Sequence, residues 1–469
     1  MSNDIRRRDF IRTAAATGAA LAVGGCGLNA PATSPPGPPL RQPAGQDPPP
    51  ADQDPLFAAP PIETVRMGFV GVGHQGSAHV RNFLRIPGVE IVAVCDLVPE
   101  KVARVSEWVT GAGRPAPLSY TRGPEDYRRM VAEEELDLVF TATPWELHAP
   151  VCLAAMEHGK HAATEVPMAV TLEELWAMVE TAERTGRHCV MMENCCYDRT
   201  EMMILNMVRQ GVFGELLHAE CGYLHDLRVL KLTDFYEGDW RVKHSIVRNG
   251  DLYPTHGLGP VAQWMNINRG NRFDHLVSVA TKSRGLNLWA AEHIGPDSDA
   301  ARRSYALGDT VNTLIRTAGG ETIQVVHDTN APRPYSRKIL LQGTRGVVRK
   351  YPEQKIHIEG TSPPHQWEDL AAWRDRYDHP IWRALEEESR DGGHGGMDYI
   401  EDYRLIQCLR EGAPMDMDVY DGAAWSAVSA LSERSIARRQ VVDMPDFTRG
   451  AYARRPPLGV VRIGQATPR

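Results

Sequence analysis

The sequence predicts an α/β protein, in which a doubly wound parallel sheet is followed by an α+β domain with an open, largely antiparallel sheet. Between residues 64 and 195, short apolar runs alternate with amphipathic helical segments, the pattern of parallel strands joined by crossover helices. Beyond residue 216, strand-like runs follow one another without intervening helices, which indicates antiparallel pairing. A chain of 469 residues is long enough for both domains.

The first 62 residues carry no pattern of a packed core. Residues 1–26 join a basic run to an apolar, Ala/Gly-rich stretch ending near Cys26, and RRDFIR within them resembles a twin-arginine export signal. We expect export to the periplasm or cell envelope, with a lipid anchor at Cys26 or cleavage at a nearby small residue; a cytoplasmic amphipathic extension is the alternative. Residues 27–62 are Pro-rich and predict an extended linker.

A glycine-rich turn follows the first predicted strand. Gly71-x-Gly73-x-x-Gly76 opens a helical segment, where glycines allow close approach of the backbone to a pyrophosphate and the helix N-terminus favours the anion. The next apolar run ends at Asp96, twenty residues beyond Gly76, from where an acid hydrogen-bonds an adenosine ribose. These features predict a Rossmann domain over residues 63–195 that binds NAD rather than NADP.

Polar and aromatic side chains stand where the later strands of this domain are predicted to end. Trp145, His148, Glu165 and Asn194 all occupy such positions. Ligands of doubly wound sheets bind outside the carboxyl ends of the strands. We therefore expect these four side chains beside the nucleotide.

Charge and cysteine usage exclude several classes of function. The net charge is −8, and no basic run occurs after the first dozen residues, so nucleic acid is not expected as a partner. The eight cysteines are mostly embedded in apolar runs, without the spacing of a zinc site or a redox motif, and no metal site is predicted.

Several motifs together resemble the Gfo/Idh/MocA oxidoreductases, a family that includes glucose–fructose oxidoreductase and inositol dehydrogenases. They are the glycine turn, TPWELHAP, AMEHGKHAATEVP and DLYPTHGLGP, and the likeness spans about residues 64–440. TPWELH, EVP and YPTHG resemble more closely glycoside hydrolase family 109, alpha-N-acetylgalactosaminidases that use a tightly held NAD. Val166 stands where the dehydrogenases carry a lysine, and Leu252 where they tend to carry an aspartate, with Asp251 one residue earlier. These departures favour the hydrolase.

The resemblance implies two sets of contacts. In addition to the turn glycines, the implied cofactor contacts are His74, Gln75, Asp96, Trp145, Glu146, Leu147, His148, Glu165, Val166 and Asn194. The implied sugar contacts are Tyr223, Arg241, Tyr253, Pro254, Thr255, His256 and Tyr335. Tyr253 and His256 are the candidate acid and base, in either order. The alternative for Tyr223 is a tyrosine of the protein core, and the alternative for Arg241 is a member of a surface ion pair.

The α+β domain is predicted over residues 196–445, with a C-terminal tail over 446–469. A helix is expected at 201–216, and the predicted strands cover 216–224, 275–282, 310–317, 322–328 and 338–344. Helix is expected again over 366–437, broken by glycines at 392–396 that either bring His394 and Asp398 to the site or form a plain loop. By analogy with the family, the open face of the sheet forms a homo-oligomer.

The function expected from these observations is NAD-dependent hydrolysis of a terminal N-acetylhexosaminide, with alpha-N-acetylgalactosaminide implied by the resemblance. Oxidation of the sugar C3 hydroxyl acidifies the C2 hydrogen, after which elimination at C1, addition of water and re-reduction complete the cycle. Two alternatives stay open: a sugar or polyol dehydrogenase with net turnover of NAD, and a non-enzymatic sugar sensor that binds the nucleotide.

Overall fold

The computed structural model describes residues 59–234 and 239–463. The predicted signal peptide at 1–26 and most of the predicted linker at 27–62 lie outside these residues. Within the described ranges, no helix combines the length and apolar character needed to cross a membrane.

The N-terminal domain is a six-stranded parallel sheet with helices between its strands. The strands are β1 (Val65–Val70), β2 (Val89–Cys95), β3 (Leu118–Tyr120), β4 (Leu138–Thr141), β5 (His161–Thr164) and β6 (Cys189–Met191). The helices are α1 (His74–Arg85), α2 (Pro99–Gly111), α3 (Asp126–Glu133), α4 (His148–Glu157) and α5 (Leu172–Thr185). The strand order β3-β2-β1-β4-β5-β6 reverses direction beside β1, the switch point at which doubly wound folds bind ligands.

The second domain is built on a nine-stranded sheet. Its strands are β7 (Leu216–Leu224), β8 (Phe273–Ala280), β9 (Thr310–Thr317), β10 (Thr322–Asp328), β11 (Leu340–Gly343), β12 (Gly346–Arg349), β13 (Lys355–Ile358), β14 (Glu368–Asp369) and β15 (Val442–Asp443). They lie in the order β14-β13-β12-β11-β7-β10-β9-β8-β15. Only β7 and β10 pair in parallel among these described strands, so the predicted fold class is confirmed.

The helices of the second domain lie before, between and after these strands. They are α6 (Arg199–Arg209), α7 (Arg228–Leu232), α8 (Trp240–Val247), α9 (Thr255–Trp264), α10 (Gly285–His293), α11 (Asp299–Arg302), α12 (Arg374–Tyr377), α13 (Pro380–Ala384), α14 (Met397–Glu411) and α15 (Val419–Arg438). Short 3-10 turns cover Trp145–Leu147, Asn194–Tyr197, Leu370–Trp373, His394–Gly396 and Ala451–Arg454.

Two predicted helices are shorter than expected. The helix predicted at 201–216 ends at Arg209, because Gly211 and Gly214 adopt φ of 71° and 70°, outside helical geometry. The region 366–437 contains two long helices, α14 and α15, and only short helical turns before them. A proline starts α13 at Pro380, and the glycines at 392–396 precede α14, so no continuous helix can form.

Helix α14 returns from the second domain to complete the core of the first. Its buried residues Leu405, Ile406 and Leu409 share an apolar cluster with β1 and α1. Where α14 packs against α1, Asn82 of α1 donates a hydrogen bond of 2.9 Å to the carboxylate of Asp402 on α14. The nucleotide domain therefore depends on a segment more than three hundred residues later in the chain.

The predicted C-terminal tail also packs against the body of the protein as far as it is described. Phe447 is 1% exposed and joins the larger apolar core. The Arg455 guanidinium is buried, pairs with Asp418 and donates a hydrogen bond of 3.1 Å to the carbonyl of Asn268. Residues 464–469 lie outside the described part.

Candidate functional site

A cavity of about 460 Å³ lies where the carboxyl ends of the parallel strands meet β7, α8 and α9. Its size is typical of small-molecule sites. From the N-terminal domain it is lined by residues that include Gly71, Gly73, His74, Gln75, Asp96, Trp145, Leu147, His148, Glu165, Val166 and Asn194. From the second domain it is lined by Tyr223, His225, Leu227, Leu230, Trp240, Arg241, Tyr253, His256 and His394.

The three turn glycines have different roles. Gly71 has φ of 82°, and a Cβ there would lie 2.8 Å from the carbonyl oxygen of Ala142. A Cβ at Gly76 would lie 2.1 Å from the Gly71 carbonyl oxygen, so this glycine lets α1 pack against the turn without lining the cavity. Gly73 lines the cavity, and a Cβ there would lie 3.8 Å from Nζ of Lys101, so a pyrophosphate can approach the backbone at the start of α1.

Asp96 holds the glycine turn as well as lining the cavity. Its Oδ2 accepts a hydrogen bond of 2.8 Å from the backbone N–H of Val72, and its Oδ1 accepts one of 2.9 Å from Val98. Each carboxylate oxygen can accept a second hydrogen bond, which leaves capacity for ribose hydroxyls. The turn and the acid thus form one preorganised unit that fits an NAD molecule.

We expect Asp96→Ala to weaken NAD binding by roughly 1.5–3 kcal/mol, the range for hydrogen bonds to a charged group. Titration of nucleotide-free protein with NAD measures this change. Asp375→Ala serves as the matched control, because Asp375 is exposed and remote from the turn. Equal NAD affinity in the Asp96 variant and the wild type would show that this acid does not contact the cofactor.

An aromatic wall, made of Trp145 and residues of the second domain, forms one side of the cavity. The Trp145 and Tyr253 rings stack with centroids 5.6 Å apart, and the guanidinium of Arg241 lies 5.4 Å from the Trp145 ring centroid and 5.7 Å from that of Tyr253. Tyr223 packs 4.6 Å from Tyr253 and 5.3 Å from His256. Arg241 and Tyr223 therefore face the cavity, where a flat apolar wall with a cation suits a sugar ring.

His256, in the first turn of α9, is held by a carboxylate that sequence reasoning missed. Its Nδ1 lies 2.7 Å from Oε1 of Glu193, which also accepts a hydrogen bond of 3.1 Å from the backbone N–H of Cys195. Burial raises the pKa of a carboxyl, but the charge and hydrogen bond of His256 outweigh it and hold the pKa of Glu193 below its ordinary value. Among the described residues, Nε2 of His256 makes no hydrogen bond, so it can exchange a proton with a ligand.

Glu165 is positioned by a buried imidazole, which the sequence alone did not identify as part of the site. His79 of α1 lies with Nε2 2.8 Å from Oε1 of Glu165 and with Nδ1 2.8 Å from Oδ1 of Asp402. Although burial lowers the pKa of an imidazole, the carboxylates of Asp402 and Glu165 raise that of His79 well above its ordinary value. A charged His79 can donate to both carboxylates at once and fix the orientation of Glu165.

Several residues implied by the resemblance do not line the cavity. Glu146 is half exposed and its carboxylate lies 3.2 Å from Nε2 of His244. Pro254 and Thr255 are buried at the start of α9, and Tyr335, 39% exposed, packs edge-on 5.1 Å from His225. The cavity is lined by sequence neighbours of Glu146, Pro254 and Thr255, but not by these four side chains themselves.

His148 lines the cavity but its ring nitrogens are engaged elsewhere. Nδ1 lies 2.7 Å from the carbonyl oxygen of Pro167, and Nε2 lies 2.8 Å from that of Thr143. Burial lowers the pKa of His148. The neutral ring donates from one nitrogen to one of these carbonyls, and both nitrogens face the protein, so His148 offers a ligand its face rather than a free nitrogen.

Asp251, the acid nearest the position where the dehydrogenases carry an aspartate, is fully buried and does not line the cavity. Burial raises the pKa of its carboxyl to about 7, with the backbone N–H of Tyr253 opposing. Asp251 thus cannot replace the missing aspartate of a dehydrogenase site.

We expect Asp251→Asn to stabilise the protein increasingly as the pH rises. Between about pH 4 and 7 the unfolded chain releases this proton while the folded chain keeps it, so wild-type stability from this group is lost as pH rises. The variant's gain in unfolding free energy over the wild type should be larger at pH 8 than at pH 4, by on the order of 2–4 kcal/mol. Urea unfolding at both pH values measures it, with Asp375→Asn as the control. An equal gain at both pH values would contradict the buried-acid explanation.

Two protein-family models match consecutive parts of the chain. Residues 65–193 match the oxidoreductase family with an NAD-binding Rossmann fold, and residues 197–454 match the C-terminal domain of glycosyl hydrolase 109. Among solved structures, levoglucosan dehydrogenase in complex with NADH superposes with a TM-score of 0.63 at 22% identity, over 82% of this chain and all of that one. Scyllo-inositol dehydrogenase from Lactobacillus casei gives a TM-score of 0.57 at 15% identity, over 81% of this chain and 99% of that one.

Curated relatives are much closer in sequence. Glycosyl hydrolase family 109 protein 1 from Shewanella sp. (strain MR-4) is 46% identical over 98% of this chain and 99% of its own length. The alpha-N-acetylgalactosaminidase of Shewanella oneidensis is 46% identical over the same shares. With the NAD-binding domain and the C-terminal domain both matched, the chain belongs to glycosyl hydrolase family 109.

Proposed function

We propose that this protein hydrolyses terminal alpha-N-acetylgalactosaminides, with NAD as a cofactor that is restored in every cycle. One observation carries the proposal: the cavity that contains the glycine turn and Asp96 also contains the His256–Glu193 pair and the aromatic wall. The relative from Shewanella oneidensis is named an alpha-N-acetylgalactosaminidase, which supports the choice of sugar. A sugar dehydrogenase is the second candidate, favoured only by the likeness in fold.

The NAD-binding part of the proposal uses residues of the N-terminal domain. Gly71, Gly73 and Gln75 of the turn would approach the pyrophosphate, and Asp96 would bind the adenosine ribose. When bound, NAD supplies a hydride acceptor for the sugar C3 and returns the hydride at the end of the cycle. Val166 lines the cavity and is 3% exposed, so no lysine relay for a C3 hydroxyl exists at this position.

Removal of the acidified C2 proton needs a base, and we assign this step to His256. Its free Nε2 accepts the proton, while Glu193 on Nδ1 stabilises the imidazolium that forms. Burial and the nearby Tyr223 raise the pKa of Tyr253 well above its ordinary value. Tyr253 therefore keeps its proton and donates a hydrogen bond to the sugar, instead of acting as the base.

The direct experiment is hydrolysis of 4-nitrophenyl N-acetyl-alpha-galactosaminide by purified protein without added NAD. We expect release of nitrophenol, and NAD among the small molecules freed when the protein is denatured. Accumulation of NADH from free sugars, with no nitrophenol released, would favour the dehydrogenase. Failure of both reactions in NAD-containing protein would leave a non-enzymatic sugar sensor as the better explanation.

We infer that the protein is exported by the twin-arginine route, from the sequence of residues 1–26. Arg7→Lys with Arg8→Lys should retain the folded protein in the cytoplasm, whereas Arg6→Lys should not. Cys26→Ser tests the lipid anchor, because it should release an anchored protein from membranes. Export of the double variant at the normal rate would contradict the proposal.

We also infer a homo-oligomer formed through the open face of the second sheet. Val277 on β8 pairs directly with Leu314 on β9, and both are exposed, as is Val279 two residues further along β8. Contiguous exposed apolar side chains are typical of protein contacts. Analytical ultracentrifugation should find an assembly that Leu314→Glu dissociates, and a monomeric wild type would contradict the inference.

A further inference from the structure

A group of side chains of the types that bind metal ions lies next to Glu165, where α1 packs against α14. It consists of His79 on α1 and of Glu401 and Asp402 on α14, each with a ligand atom within 4.8 Å of those of the other two. The three residues are 0%, 2% and 0% exposed. An imidazole with two carboxylates is a ligand set that divalent transition metals favour. The sequence predicts no metal site here, because α1 and α14 are far apart in the chain.

Glu401 has no partner within the chain for its carboxylate. Neither oxygen makes a hydrogen bond with any residue that the structure describes. The guanidinium of Arg404, on the same helix, is taken by Asp416, whose two oxygens lie 2.8 and 2.7 Å from its nitrogens. Beside Glu401 there is a cavity of about 10 Å³, about the space that one water needs. Since buried polar atoms are almost always hydrogen-bonded, Glu401 needs a partner from outside the chain, either a water or a cation.

The charges around His79 favour the cation. Its Nδ1 lies 2.8 Å from Oδ1 of Asp402, and its Nε2 lies 2.8 Å from Oε1 of Glu165. With Glu401, three carboxylates surround this one imidazole. When ionised they carry three negative charges, of which an imidazolium balances only one. Buried charges in proteins are paired or coordinate metals, so a divalent cation stabilises this group better than a water does.

His79 and Asp402 are oriented as metal ligands commonly are. Nε2 of His79 can donate its N–H to Glu165, which leaves Nδ1 as the ligand atom, and metal-bound histidines commonly donate their other N–H to a carboxylate. Oδ2 of Asp402 accepts a hydrogen bond of 2.9 Å from Asn82, so the orientation of this carboxylate is fixed. The 2.8 Å between Oδ1 and Nδ1 suits two adjacent ligands of one ion, each about 2.0–2.2 Å from the metal.

We propose that His79, Glu401 and Asp402 bind a divalent transition-metal ion of the class of Zn²⁺, through Nδ1 and one oxygen of each carboxylate. The ion takes the place of the Nδ1 proton, which leaves to solvent, and His79 keeps its Nε2 proton for Glu165. The ion holds α1 against α14 and fixes the orientation of Glu165, which lines the cavity. The three ligands are thus positioning residues, and the site does not depend on which sugar the cavity binds.

The test is the metal content of the full chain, purified without chelators from cells supplied with Zn²⁺ and measured by inductively coupled plasma mass spectrometry. We expect about one Zn²⁺ per chain in the wild type, and a content at least about tenfold lower in Glu401→Gln. Glu401→Leu is a second variant with the same expected loss, because it replaces the buried acid by an apolar side chain of similar size. Glu173→Gln, an exposed change on α5, is the matched control and should keep the wild-type content.

Replacement of Zn²⁺ by Co²⁺ separates this site from the other group of ligand-type side chains, Glu193, Cys195 and His256. Co²⁺ on an imidazole and two carboxylates gives weak visible bands, whereas Co²⁺ on the Cys195 thiolate adds a strong charge-transfer band in the near ultraviolet. We expect the visible bands alone, and their loss in both Glu401 variants. Wild-type protein without bound metal, a metal content that neither variant lowers, or a thiolate band would each overturn the proposal.

Discussion

Replacing His256 with alanine is expected to slow hydrolysis of an alpha-N-acetylgalactosaminide by about 10²–10⁴-fold, the range for loss of a positioned general base. The imidazole of His256 lines the cavity with Nδ1 on a carboxylate, and among the described residues its Nε2 makes no hydrogen bond. Steady-state kcat measured on the nitrophenyl glycoside checks this directly. NAD content should be unchanged, since the glycine turn and Asp96 do not contact His256.

His293→Ala is the matched control for this variant, because it removes an exposed imidazole outside the cavity. A His256 variant that keeps the wild-type kcat would move the base to another residue. Loss of NAD together with activity would instead make His256 a cofactor contact.

Glu193→Gln is expected to have the next largest effect, a fall in kcat of roughly 10²-fold or more. The amide keeps the shape of the side chain, but it carries no charge to stabilise the imidazolium on His256. It also replaces an acceptor that currently binds both His256 and the backbone of Cys195. Deuterium exchange at C2 of the substrate should slow in parallel with hydrolysis.

Glu173→Gln, an exposed change on α5, is the matched control and should not alter either rate. A Glu193 variant with normal exchange at C2 would show that the carboxylate only supports the fold. Thermal unfolding of both variants separates that outcome from a loss of folded protein.

Local sequence patterns predicted much of the fold because they reflect local physical requirements. Strands β9 and β10 occupy the predicted 310–317 and 322–328, because buried and exposed residues alternate along β9 and a glycine pair separates the two strands. The glycine turn and Asp96 follow strands that are largely buried, and that appear as apolar runs interrupted by one charged residue each. The Rossmann domain and its ligand edge could therefore be predicted from the chain.

The partners of the site residues could not be predicted in the same way. His79 and Asp402 are 323 residues apart, and their contact depends on α14 packing against α1. Glu193 stands next to Asn194 at a predicted strand end, which is the one local signal that could have identified it. The start of α9 decides which of residues 253–256 face the cavity. Tyr253 and His256 line it, whereas Pro254 and Thr255 do not.

The central claim is that hydrolysis proceeds through a sugar oxidised at C3, with loss and return of the C2 hydrogen. Hydrolysis in heavy water, followed by mass spectrometry and NMR of the released sugar, tests this most directly. We expect deuterium at C2 of the product, since the base exchanges its proton with solvent. A glycosidase with two catalytic carboxylates never breaks this C–H bond. Released sugar without deuterium at C2 would contradict the account.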